Sequence, residues 1–218
     1  MDQHLVQSLV AVAIIILVAF PIHEFFHAFA AFQLGDSTAR WQGRLSLNPV
    51  VHFDPLGGAL LVLSALLGGF FIGWAKPTPV NPYNLRYGRR GDALVALAGP
   101  LSNLVMAAIV AIPIRLIAMD TNLLNSIVGN PVAAFVLNVA AFFVVINVFL
   151  MVFNLLPIPP LDGWHVLLGL VDARTAYTLR QYQQYGFLLI LVIFFAGATV
   201  IGSLAGAVIN FLVPGLFG

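Results

Sequence analysis

The chain has 218 residues, of which 61% are hydrophobic and only 8% charged, and its mean hydropathy is +1.02. So little charge excludes an ordinary soluble domain, and a net charge of +1 argues against nucleic acid as a partner. With no cysteine, neither disulfides nor thiolate metal ligands are available, so any metal must be held by nitrogen or oxygen. The composition predicts an all-α polytopic membrane protein of about five to six membrane segments, with a small β or re-entrant region after the first span. A single domain over 1–218 is expected, with a core over about 5–172 and a C-terminal span over about 186–212.

The first apolar run, Leu5–Leu34, is about 45 Å long as a helix, enough to cross a bilayer with tilt. It lacks a basic leader region and a small-residue cleavage site, so it reads as an uncleaved span. Within it lie His23, Glu24 and His27, spaced H-E-x-x-H, one turn after Pro21. On a helix, positions i and i+4 share a face, so both imidazoles can reach one metal ion. The glutamate between them can take a proton from a metal-bound water. Three ionisable groups at membrane depth are costly, and their default reading is functional.

Asp36–Pro55 is polar, and the alternation in ARWQGRLSL predicts a strand with Gly43 at a turn or bulge. Leu56–Trp74 is apolar but short, and interrupted by glycine pairs. Ala75–Asp92 carries three prolines and four basic residues, so it is expected to be extended. Spans follow at Ala93–Met119 and Val132–Phe153, joined by a loop of about a dozen residues. After Val132–Phe153 come the prolines of PIPPLDG, a short helix from Asp162 to about Val171, a polar stretch, and a last span over Phe187–Phe211.

Asp162 is the best third ligand, because the prolines break the helix before it and Gly163 permits a tight turn. Two imidazoles and one carboxylate leave a fourth zinc position open to water, the catalytic pattern. The competing role for Asp162 is the N-cap of the helix it opens. If Asp162 meets the histidines, the ends of the first span and of Val132–Phe153 share one side, and Ala93 starts there too. Leu56–Trp74 then either re-enters or crosses and is returned by an extended segment inside the protein. Eight of the nine basic residues, Arg115 excepted, flank that side, which places it in the cytoplasm and the N-terminus outside.

HEFFHAFAAFQLGD, NPVVHFDPLGG, AKPTPVNPYNLR, ALAGPLSN and NLLPIPPLDG occur in that order between about residues 20 and 170. Together they resemble the site-2 protease family of intramembrane zinc metalloproteases, in its compact subgroup without PDZ or CBS domains. The resemblance implies hydrolysis of peptide bonds in or near the transmembrane segment of a single-span membrane protein. It implies one Zn2+ per chain on His23, His27 and Asp162, with Glu24 as general base. Asn154 fits an oxyanion or substrate-orienting amide, against a plain helix-ending asparagine. Gly99, Pro100 and Asn103 match a G-P-x-x-N element read as close packing beside the first span. Two features depart from the family pattern: Phe25-Phe26 inside the H-E-x-x-H, and Trp164 after Gly163.

Asn81 is a candidate for pairing an extended substrate by strand addition. His52 is either an outer-sphere or gating group or a packed loop histidine, and His165 is an outer-sphere or interfacial one. A metal transporter built on the same histidines would need polar groups threading several spans, whereas polarity here gathers at one end. A catalytically dead scaffold would not need Glu24.

Overall fold

The computed structural model describes residues 3–67 and 72–215, and the side chains of 6–67, 72–193 and 197–215. Among the described residues the chain is helical and contains no strand. The first span is built from α1 (Gln3–Ile14), a π-helical turn (Ile15–Ala19) and α2 (Phe20–Gln33). The turn closes with the Phe20 N–H donating to the Ile15 carbonyl. It ends two residues before Pro21, whose missing N–H cannot continue the regular ladder.

Two short helices follow, α3 (Thr38–Trp41) and α4 (Pro49–His52), then α5 (Pro55–Leu66). Each Asx-Pro pair works as a start signal: Asn48 caps α4 through Val50 N, and Asp54 caps α5 through Gly57 N. The strand predicted over ARWQGRLSL is absent. Its first residues close into α3, Gly43 turns at φ +69°, and the Arg44 N–H returns to the Ala39 carbonyl. A buried Arg44 and an exposed Trp41 show that the apparent alternation does not face a core.

At 12 residues, α5 is about 18 Å long, short of a bilayer core. The chain then doubles back along it in extended form, with Ile72 N donating to Ser64 Oγ. A Cβ on Gly57 would fall 2.2 Å from the Trp74 carbonyl oxygen, and one on Gly73 2.6 Å from that of Gly57. The Gly68-Gly69 pair lies outside the described residues.

A 3-10 turn (Pro82–Asn84) leads into α6 (Arg89–Met119). The dozen-residue loop expected next contains a helix, α7 (Thr121–Val128), because the Asp120 carboxylate accepts from Asn122 N and Leu123 N. Then come α8 (Pro131–Asn154), α9 (Asp162–Leu170), α10 (Ala173–Arg180), a 3-10 turn (Gln181–Tyr185), α11 (Gly186–Ala196) and α12 (Ala198–Leu212).

Val6–Gln33, α6 and α8 are long and apolar enough to cross a membrane; a fourth crossing requires joining Ala173–Ile193 to Ala198–Leu212 across a 78° bend. The unbroken span predicted over Phe187–Phe211 is therefore bent at Gly197, and α12 packs its Ile201, Ala205 and Ile209 against α6 and α8. A second core joins Ala11, Ile15 and Ala19 to Leu61 and Ala65 of α5 and Ile146 of α8. A third cluster, Ala31, Leu85 and Val95, packs the end of α2 against the start of α6.

Candidate metal centre

His23 and His27 project from one face of α2, both buried, with their Nε2 atoms 3.0 Å apart. Asp162 Oδ2 lies 3.1 Å from His23 Nε2, and its Oδ1 lies 3.3 Å from His27 Nε2. Ligand atoms of all three residues fall within 4.8 Å of one another, the one such group among the described residues. Asp162 is the first residue of α9, and the capping position belongs to Leu161, which makes no side-chain cap. The capping role weighed for Asp162 is therefore absent.

Partners on the far side of each ring fix its proton. His23 Nδ1 lies 2.7 Å from Asn103 Oδ1, and Asn103 Nδ2 donates over 2.9 Å to Asn147 Oδ1. His27 Nδ1 lies 2.8 Å from the Val95 carbonyl. An amide oxygen and a carbonyl only accept, so both Nδ1 atoms carry a hydrogen, and in the neutral rings both Nε2 atoms present lone pairs. Those lone pairs meet each other and the carboxylate, and Asp162 Oδ2 is buried with no hydrogen-bond partner. Three facing electron-pair donors repel unless a cation, a metal ion or a shared proton, sits between them. The donor set thus fits a metal ion, and its nitrogen-nitrogen-oxygen chemistry fits zinc.

Two glycines make the approach possible. A Cβ on Gly99 of α6 would lie 2.3 Å from His27 Nε2 and 2.7 Å from His23 Cε1. A Cβ on Gly163 would meet the Leu155 and Leu156 carbonyl oxygens at 2.2 and 2.4 Å, so glycine lets α9 start against the end of α8. The close packing expected of Gly99 is therefore packing on the imidazoles themselves. Asn103 does more than pack, since it sets the His23 tautomer. Asn103→Ala should weaken zinc binding by roughly 10–100-fold with little change in helix content, read by competition with a zinc chelator.

Glu24 is buried beside the donor set, and its Oε2 accepts from Thr78 N at 2.8 Å and from Thr78 Oγ1 at 2.7 Å. Thr78 was not singled out in the sequence. Neither was Asn147, although an amide in the middle of an apolar span is a readable signal of a buried polar contact.

The other candidates lie apart from the donors. Asn81 Oδ1 caps the 3-10 turn through Tyr83 N, while its own N–H donates to Asp36. Pro77, Pro79 and Pro82 have no N–H, and Thr78 N is held by Glu24, so between Pro77 and Pro82 only Val80 N lacks a partner among the described residues. Strand addition has little free backbone there. Asn154 turns its amide back to Leu150 O at the end of α8. His52 is buried and donates from Nε2 to Ser46 O, leaving Nδ1 unpartnered, and burial pushes its pKa down. His165 pairs through Nδ1 with Asp92 at 2.9 Å; that hydrogen bond raises its pKa and fastens α9 to α6.

Two imidazoles and one carboxylate, with a further carboxylate beside them, have the donor pattern of catalytic rather than closed structural zinc sites. The family model described as peptidase family M50 matches residues 10–198, a stretch that contains every one of these residues, and the chain belongs to that family. It is 39% identical over 193 residues to YwhC of Bacillus subtilis (strain 168), a protein named as a zinc metalloprotease, covering 87% of this chain and 81% of that one. Rip2 of Mycolicibacterium smegmatis (strain ATCC 700084 / mc(2)155), named likewise, is 34% identical over 179 residues, covering 81% of this chain and 63% of its own length. Rip2 of Mycobacterium tuberculosis (strain ATCC 25618 / H37Rv) is 33% identical over 181 residues, covering 83% and 64%. No solved structure matches the chain.

Proposed function

We propose that the chain is a zinc-dependent intramembrane endopeptidase that cuts membrane proteins in or near a single transmembrane segment. The observation that carries this reading is the meeting of the His23 and His27 lone pairs with the Asp162 carboxylate, at the end of a membrane-length helix. Zinc, when bound by these three residues, supplies Lewis acidity, lowering the pKa of a water and polarising a carbonyl.

The chain's own residues do the rest. Thr78 holds Glu24 Oε2 with two donors, which leaves Oε1 as the atom that accepts the proton of the attacking water. The same carboxyl later delivers that proton to the leaving amine. Asn154 spends one amide N–H on Leu150 and keeps the other for a substrate carbonyl. His52 and His165 act outside the donor set, His52 through the loop it fastens and His165 through its tie between α9 and α6.

In the membrane, Val6–Gln33, α6 and α8 cross, and α5 with the returning segment after Ile72 re-enters from the side that holds the donors. The basic residues Arg40, Lys76, Arg86, Arg89, Arg90, Arg174 and Arg180 support a cytoplasmic position for that side and an N-terminus outside. The C-terminal helices add the remaining segment or segments.

Metal stripping tests the reading. Chelator-treated protein should lose cleavage of a single-span reporter, and about one equivalent of Zn2+ per chain should restore it. Asp162→Ala should bind zinc roughly 100-fold more weakly. Cleavage that survives complete removal of zinc would refute it.

A further inference from the structure

Arg44 is 4% exposed, yet among the described residues no carboxylate lies within ion-pair distance of it. Burying a guanidinium with no carboxylate in direct contact is costly, so its partners need a reason. Nη1 donates to the Val51 carbonyl, and Nη2 donates to the carbonyls of Lys76 and, over 2.9 Å, Pro77. Nε has no partner. Joining the two loops does not require this cation, because Lys76 N already donates to the His52 carbonyl over 2.8 Å.

The Pro77 carbonyl and the Thr78 N–H belong to one planar peptide unit and point to opposite sides of it. Arg44 grips the carbonyl side, and the N–H side donates to Glu24 Oε2. Fixing one edge of a rigid plane fixes the other. A charged donor on the carbonyl also polarises the peptide and strengthens its N–H as a donor. We propose that Arg44 is a positioning residue for Glu24, acting through the Pro77–Thr78 peptide plane. The role of Glu24 rests on the peptidase reading above, whereas the coupling of Arg44 to the plane does not.

Lysine keeps the charge but cannot present the planar fork to three carbonyls. In full-length Arg44→Lys, kcat for a reporter that wild type cuts and Glu24→Gln does not should fall roughly tenfold, with KM and zinc content unchanged. Residue-resolved amide exchange supplies a readout that needs no activity. The Thr78 N–H should lose roughly tenfold of its protection, while the Asn81 N–H, held by Asp36, keeps its own. Unchanged Thr78 protection overturns the proposal, as does a loss of cleavage that appears in KM or in zinc content. If Arg44→Lys does not fold, Arg44→Gln is scored in the same way, and failure of both to fold assigns Arg44 to the fold and overturns the proposal. Absence of any Glu24-dependent cleavage in wild type would sink the peptidase reading and leave the exchange result to decide on Arg44.

Discussion

Replacing Gly99 by alanine should empty the metal centre, although it adds one methyl group to a helix that tolerates alanine well. The added carbon would sit 2.3 Å from His27 Nε2, 2.5 Å from its Cε1 and 2.7 Å from His23 Cε1, all well inside van der Waals contact. Relief by a small ring movement is blocked. His27 is tied through Nδ1 to the Val95 carbonyl on the same helix as Gly99, and His23 is tied to Asn103 one turn further along. Either α6 withdraws from α2 or both imidazoles leave the position where their lone pairs meet Asp162. Both routes break the donor set, so zinc affinity should fall by more than about 100-fold and reporter cleavage with it. Since alanine favours helix over glycine, helix content should not fall. Inductively coupled plasma analysis of purified protein, beside circular dichroism, separates this from unfolding. Gly202, whose Cβ would meet nothing, is the matched control: Gly202→Ala should keep its zinc.

The parts of this centre that could be read from the sequence are those set by local spacing. H-E-x-x-H places two imidazoles on one helical face whatever surrounds them, and PIPPLDG forces a break that frees Asp162. Both arrangements recur in the structure, as do the short helix after Asp162 and the long apolar helices. What could not be read is held by contacts between residues far apart in the chain. Thr78 and Glu24 are 54 positions apart, and Asn103 and Asn147 are 44 apart. A threonine between two prolines carries no mark of the carboxylate it will hold. Arg44 looked like one more interfacial cation, because charge counts do not distinguish a buried guanidinium from a solvated one. The predicted strand failed for a related reason: the alternation in ARWQGRLSL is real, but a positive-φ turn at Gly43 and the inward pull on Arg44 decide the conformation. The predicted last span differs in being bent near Gly197 rather than unbroken, with α12 packed on α6 and α8. Hydropathy registers burial in lipid and burial in protein alike, so it could not show that bend.

In the proposed reaction Glu24 moves the proton while the histidines and Asp162 hold the metal. Glu24→Gln separates these duties with almost no change of shape. A glutamine side chain can still accept from Thr78 through its amide oxygen, and His23, His27 and Asp162 keep their places. What is lost is a group able to take a proton from water, a contribution that typically amounts to about 10²–10⁴-fold in rate. The decisive measurement is therefore paired: zinc per chain and turnover of a single-span reporter, on wild-type and Glu24→Gln protein reconstituted in the same bilayer. About one zinc per chain is expected in both proteins, with a loss of turnover of roughly 10²–10⁴-fold in the variant. A zinc-loaded Glu24→Gln protein that cuts the reporter at the wild-type rate would contradict that role for Glu24.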